Sequence, residues 1–68
     1  MTYEEAQELM DKAWELAVKK AQSKYNINPD KDGDYSNSDY QVVNDIQSEI
    51  YEELGGDLDE YYELEGVA

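Results

Sequence analysis

The sequence predicts an all-α protein: a helix-loop-helix followed by a short acidic C-terminal helix or tail. Three observations carry that reading. Apolar residues recur at three- and four-residue steps in two long segments. Residues able to cap a helix stand at the start of each. The breakers Pro29 and Gly55-Gly56 lie outside both segments.

The first helix opens at Thr2. Together with Glu5 this residue has the form of a capping box, in which each side chain satisfies the other's backbone N–H. Behind it Tyr3, Ala6, Met10, Ala13, Trp14, Ala17 and Ala21 form one stripe, so an amphipathic helix is expected to about Lys24. Glu8 with Lys12, and Glu15 with Lys19, stand four apart in the favourable order and are expected to support it. Trp14 reads as core.

Pro29 pushes its predecessor out of helical geometry, so the polar stretch up to Ser38 is the connection. A second helix is expected to be capped by Ser38 with Gln41 at its third position. Its stripe is Tyr40, Val43, Ile46, Ile50 and Leu54, and it stops at Gly55-Gly56. Asp57 with Glu60 then starts a short third element through Leu58, Tyr61, Tyr62 and Leu64. The whole reads as one domain, 1–68, with its loop at 28–39.

Composition sets the function classes. A chain of 68 residues without cysteine has a marginal core and no disulfide to hold it, which points to a metal or a partner as support. Residues 1–31 hold six acids against five lysines, whereas residues 32–68 hold twelve acids and no base. Most of the net charge of -13 therefore sits in the second half. Such a surface repels nucleic acid and anionic membranes, and favours cations and basic proteins. With no histidine, cysteine or arginine, a Ser-His pair, a thiolate, a zinc site and a bidentate phosphate clamp are all excluded, and a non-enzymatic protein is expected. The start MTYEEAQELM lacks a basic leader and an apolar run, and no segment approaches about 20 apolar residues, so a cytoplasmic protein is expected.

The connection holds the most specific pattern. An EF-hand loop has side-chain oxygen ligands at positions one, three and five, glycine at six, a carbonyl at seven, often a water-bridging residue at nine and an acid at twelve. Placing Gly33 at six puts Asn28, Asp30 and Asp32 at the first three, Asp34 at seven, Ser36 at nine and Asp39 at twelve. The stretch 28–43, NPDKDGDYSNSDYQVV, resembles an EF-hand loop with its exiting helix. Aspartate in the last position, Ser38 beside it and the bulky Tyr40 and Val43 after it are similar to the dockerin variety. Proline in second place is similar to the loops of lanmodulin. The resemblance implies a Ca²⁺ site made of Asn28, Asp30, Asp32, the Asp34 carbonyl, Ser36 through water, and Asp39. Few charged ligands in a lone loop imply weak affinity, about 10⁻⁴ M or poorer. A lone loop leaves its inner edge, Asp34 to Ser36, unpaired, so a homodimer is one expected arrangement. Asn, Asp, Ser and Gly are equally the residues of a plain polar turn.

The acidic half offers a second reading. Asp45, Glu49, Glu52, Glu53, Asp57, Asp59, Glu60 and Glu63, interleaved with Tyr51, Tyr61 and Tyr62, form an expected binding face for a basic partner through charge and cation–π contact. With Glu65, nine acids fall within residues 44–65, which as continuous helix span roughly 33 Å at about 1.5 Å per residue. One DNA strand presents about ten charges over that length. In size and composition the chain is loosely similar to phage DNA-mimicking inhibitors, which occupy the basic nucleic-acid site of a host protein. A solvated face that keeps a small domain in solution explains the same charge run.

Overall fold

The computed structural model describes residues 1–67, the Val67 side chain excepted; the last residue of the expected 1–68 domain lies outside the described residues. Three helices follow in order, α1 (Tyr3–Tyr25), α2 (Asn37–Glu53) and α3 (Leu58–Val67), with no strand among the described residues. The fold is all-α.

α1 begins as expected. Thr2 Oγ1 accepts the Glu5 N–H at 3.2 Å, and Glu5 Oε1 accepts the Thr2 N–H at 2.9 Å. That donation from Thr2 holds the Glu5 carboxyl below the ordinary carboxylate range. The other end departs from expectation in its cause. Asn26 adopts the left-handed region at φ 55 and its N–H donates to the Ala21 carbonyl, so the helix has already turned before Pro29 is reached. The Ile27 N–H then donates to the same carbonyl at 3.0 Å, which draws the Ile27 side chain in against the core. An asparagine tolerates this geometry at little cost because its short side chain bonds locally.

α2 starts two residues earlier than the Ser38-Gln41 reading places it. Ser36 is the cap: its Oγ accepts the Asp39 N–H at 3.3 Å. Ser38 lies inside the first turn. The earlier register sets the carboxylate of Asp39 at the positive pole of the helix, a favourable position that Gln41 does not fill. The C-terminus closes as a Schellman motif. Gly55, at φ 98, donates to the Glu52 carbonyl at 3.0 Å, and Gly56 donates to the Tyr51 carbonyl at 2.9 Å. Asp57 begins α3 as expected, its Oδ1 accepting from the N–H groups of Asp59 (3.0 Å) and Glu60 (3.3 Å).

The core lies between α1 and α2. From α1 it takes alanines only: Ala6, Ala13, Ala17 and Ala21 are fully buried. Alanine adds little volume, so the bulk comes from Val43, Ile46, Ile50 and Tyr51 of α2. Each fully buried aliphatic side chain of this kind contributes about 1.5–3 kcal/mol. Leu9, Met10, Trp14 and Val18 pack against this centre from α1, and Leu58 and Tyr61 from α3. Tyr40 and Leu54, the outer members of the expected stripe, are 53% and 38% exposed and belong to the surface.

Tyr51 differs most from the sequence reading. Assigned to the outward binding face, it is 1% exposed and, with Val43, the largest fully buried side chain among the described residues. The tight turn at Gly55-Gly56 is the reason, since it folds the backbone of Gly56 over the ring. A Cβ at Gly56 would lie 2.6 Å from Tyr51 Cδ2. Tyr61 covers the ring from α3 at 5.7 Å between centroids and 64°.

The two expected ion pairs of α1 are not closed. Among the described residues the one ion pair joins the Met1 amino group to Glu60 Oε1 at 3.6 Å. Exposed lysine–glutamate pairs gain so little over hydration that their side chains stay apart without cost.

Candidate functional site

The first candidate is the loop at residues 28–39. Asp30 organises it: its Oδ1 accepts the N–H groups of Asp32 (2.8 Å) and Asp34 (3.0 Å), and its carbonyl accepts that of Gly33 at 3.0 Å. In return the Asp30 N–H donates to the Asp34 carbonyl at 2.7 Å. Gly33 makes the sharp turn at φ 84, in the left-handed region glycine enters freely. This is an aspartate turn closed on itself.

That closure bears directly on the expected ligands. The Asp34 carbonyl, expected at the cation, already accepts the Asp30 N–H; the Ser36 hydroxyl already accepts the Asp39 N–H and caps α2. Asp39 sits half-buried in the first turn of α2, while Asn28, Asp30 and Asp32 are exposed. No group of three or more Asp or Glu side chains able to hold a metal ion is gathered among the described residues. The donor chemistry suits Ca²⁺, and each of these oxygens keeps a lone pair beyond the bonds it accepts within the loop. The loop's apolar edge is also taken: Tyr35 is half-buried with its ring 6.3 Å from that of Trp14, at 88°.

The second candidate is the acidic side. Asp45, Glu49 and Glu52 recur at steps of four and three and are all exposed, on the face of α2 opposite Val43, Ile46 and Ile50. Glu53 is exposed at the last position of the helix. On α3 Asp59 and Glu63 are exposed, Glu60 is half-buried beside Met1, and the carboxylate of Asp57 is engaged as the cap. Tyr62 is 61% exposed and Tyr61 half-buried. The acids are therefore shared between two helices. The break at residues 54–57 divides the continuous 33 Å helix on which the comparison with a DNA strand was built.

The structure also gathers residues that the sequence reading did not connect. A cleft of about 360 Å³ opens where the three helices meet. α1 gives Asp11 to it, α2 gives Asn44 and Gln47, and α3 gives Tyr61, Tyr62 and Glu65. Gln47 Nε2 donates to the Met10 carbonyl at 3.1 Å, tying α2 to α1 within the lining. The Tyr61 and Tyr62 rings meet edge to face at 6.0 Å and 69°. Burial, and then the Glu65 carboxylate close by, push the Tyr61 phenol above its ordinary pKa. Asp11 and Gln47 stand on different helices, 36 positions apart in the chain, and no local spacing marks them as neighbours.

No family model matches this chain, and no curated protein or solved structure matches it significantly. No described helix is long and apolar enough to cross a membrane.

Proposed function

We propose that this chain acts by binding rather than by chemistry, offering the exposed acidic side of α2 and α3 to a basic protein surface. One observation carries the reading: the carboxylates of α2 have no lysine partner within ion-pair distance among the described residues, although five lysines are present. The chain's own cations leave these acids uncompensated. A basic surface relieves that repulsion on contact, and the exposed Tyr62 ring adds cation–π attraction. The test is calorimetric titration with arginine- and lysine-rich peptides at low and high ionic strength. Binding is expected at low salt, weakened by added salt and by the triple change Asp45→Asn, Glu49→Gln, Glu52→Gln. A parent protein that binds no basic peptide at low salt would overturn the reading.

A Ca²⁺ loop at residues 28–39 is a second reading, favoured by Gly33 with φ 84 at the sharp turn the pattern requires. The Asp34 carbonyl and the Asp30 carboxylate keep lone pairs beyond the N–H bonds they accept, so an ion can be added to the turn without breaking it. Calcium titration by calorimetry, with Asp32→Ala as the control, tests it: saturable heat and a raised melting temperature support it, and their absence removes it.

A further inference from the structure

The cleft between the three helices carries an inference that rests on the binding reading and sharpens it. We propose that it is a receptor for a single arginine side chain of the basic partner, with Asp11 and Glu65 as its carboxylate acceptors and the Tyr61 and Tyr62 rings as its aromatic wall.

The lining decides the class of occupant. Two carboxylates arrive from different helices, α1 and α3, and no lysine lines the space. An anion is therefore repelled from it. An apolar side chain would displace water from the exposed carboxylates and the amide of Asn44 without giving them partners, which costs free energy. A cation is the occupant whose chemistry complements the walls.

Shape selects among cations. A guanidinium is planar, carries five donors in a fixed fork, and stacks on aromatic faces, so it can meet acceptors on two sides while lying against a ring. An ammonium is a compact, strongly hydrated point charge that does neither as well. The two tyrosine rings, edge to face at 6.0 Å, line the cleft from its α3 side. The Gln47 to Met10 bond, between two lining residues, engages the amide N–H of Gln47 and leaves its oxygen as a further acceptor type in the lining.

The experiment uses the full chain and two peptides of equal length and charge, one built on arginine and one on lysine, followed by calorimetry and by NMR shifts of the Gln47 side-chain amide and the tyrosine rings. The cleft variants are Glu65→Gln, Asp11→Asn and Tyr62→Ala. The controls Glu4→Gln and Glu15→Gln remove the same charge from exposed positions of α1, outside both the lining and the acidic side of α2 and α3. Circular dichroism confirms that each variant keeps its helices. Each cleft variant is expected to weaken the arginine peptide by about tenfold and each control by less than about twofold, with the Gln47 amide shifting on binding. Equal losses in cleft and control variants, while the parent still binds in a salt-sensitive way, would overturn the receptor and leave the acidic-face reading standing. A lysine peptide that binds as tightly as its arginine counterpart would also overturn it. Failure of the parent to bind either peptide would overturn both.

Discussion

Gly56 is the residue on which the C-terminal third depends. Its N–H completes the Schellman motif, and its missing Cβ is what lets the Tyr51 ring lie beneath the turn. Gly56→Ala is expected to cost about 1–3 kcal/mol through overpacking, read by denaturant unfolding, with a changed near-ultraviolet dichroism of the tyrosines. Tyr51 makes a second prediction. Burial first, then the carboxylates of Glu60 and Asp57, raise its pKa in the folded chain above the ordinary value of 10.0. The unfolded chain therefore loses the phenolic proton first. The stability associated with neutral Tyr51 is complete below pH 10 and is lost as pH rises through the folded value. Melting temperature is expected to fall above pH 10, and Tyr51→Phe to flatten that fall. The sequence could not place Tyr51 indoors, because an aromatic with a polar tip satisfies either side of a helix. Its burial comes from Gly56, five positions later, folding back across it.

At the scale of elements, the helix starts test two competing caps. Ser36→Ala is expected to destabilise the protein by about 1 kcal/mol and Ser38→Ala by a few tenths, measured by thermal melting of both variants. Equal losses would contradict the observed cap. The stripes of α1 and α2 were legible from spacing because 3.6-residue periodicity and burial are the same fact seen twice: Ala13, Ala17, Val43, Ile46 and Ile50 are buried as the pattern requires. The boundaries were less so. Four residues with short polar side chains, Ser36 to Asp39, each suit a helix start, and the choice falls to dipole placement and to the loop's own hydrogen bonds. The loop itself was legible as a turn at Gly33. Which groups its aspartates would engage was not, since the same oxygens serve an ion or a neighbouring N–H equally well.

Charge governs the behaviour of the molecule as a whole. With a net charge of -13 and the lysines confined to α1 and to Lys31 in the loop, the second half repels itself. Added salt is expected to raise the melting temperature by several degrees, which at about 4–8 °C per kcal/mol for a domain of this size corresponds to about 1 kcal/mol. A melting temperature insensitive to salt would show that the folded chain carries its repulsion without cost. The charge imbalance was plain from composition. The three-helix cleft was not, because Asp11, Gln47 and Glu65 become neighbours only when α3 closes against the other two helices, and contacts at that range leave no mark on local spacing.

The chain also contains a reporter of its own. Trp14 is its only tryptophan, and its ring lies 6.3 Å from Tyr35 in the loop and 5.7 Å from Tyr40 in the first turns of α2. Light absorbed by those tyrosines passes to the indole by energy transfer, so its emission monitors the joint between loop and helix without any attached dye.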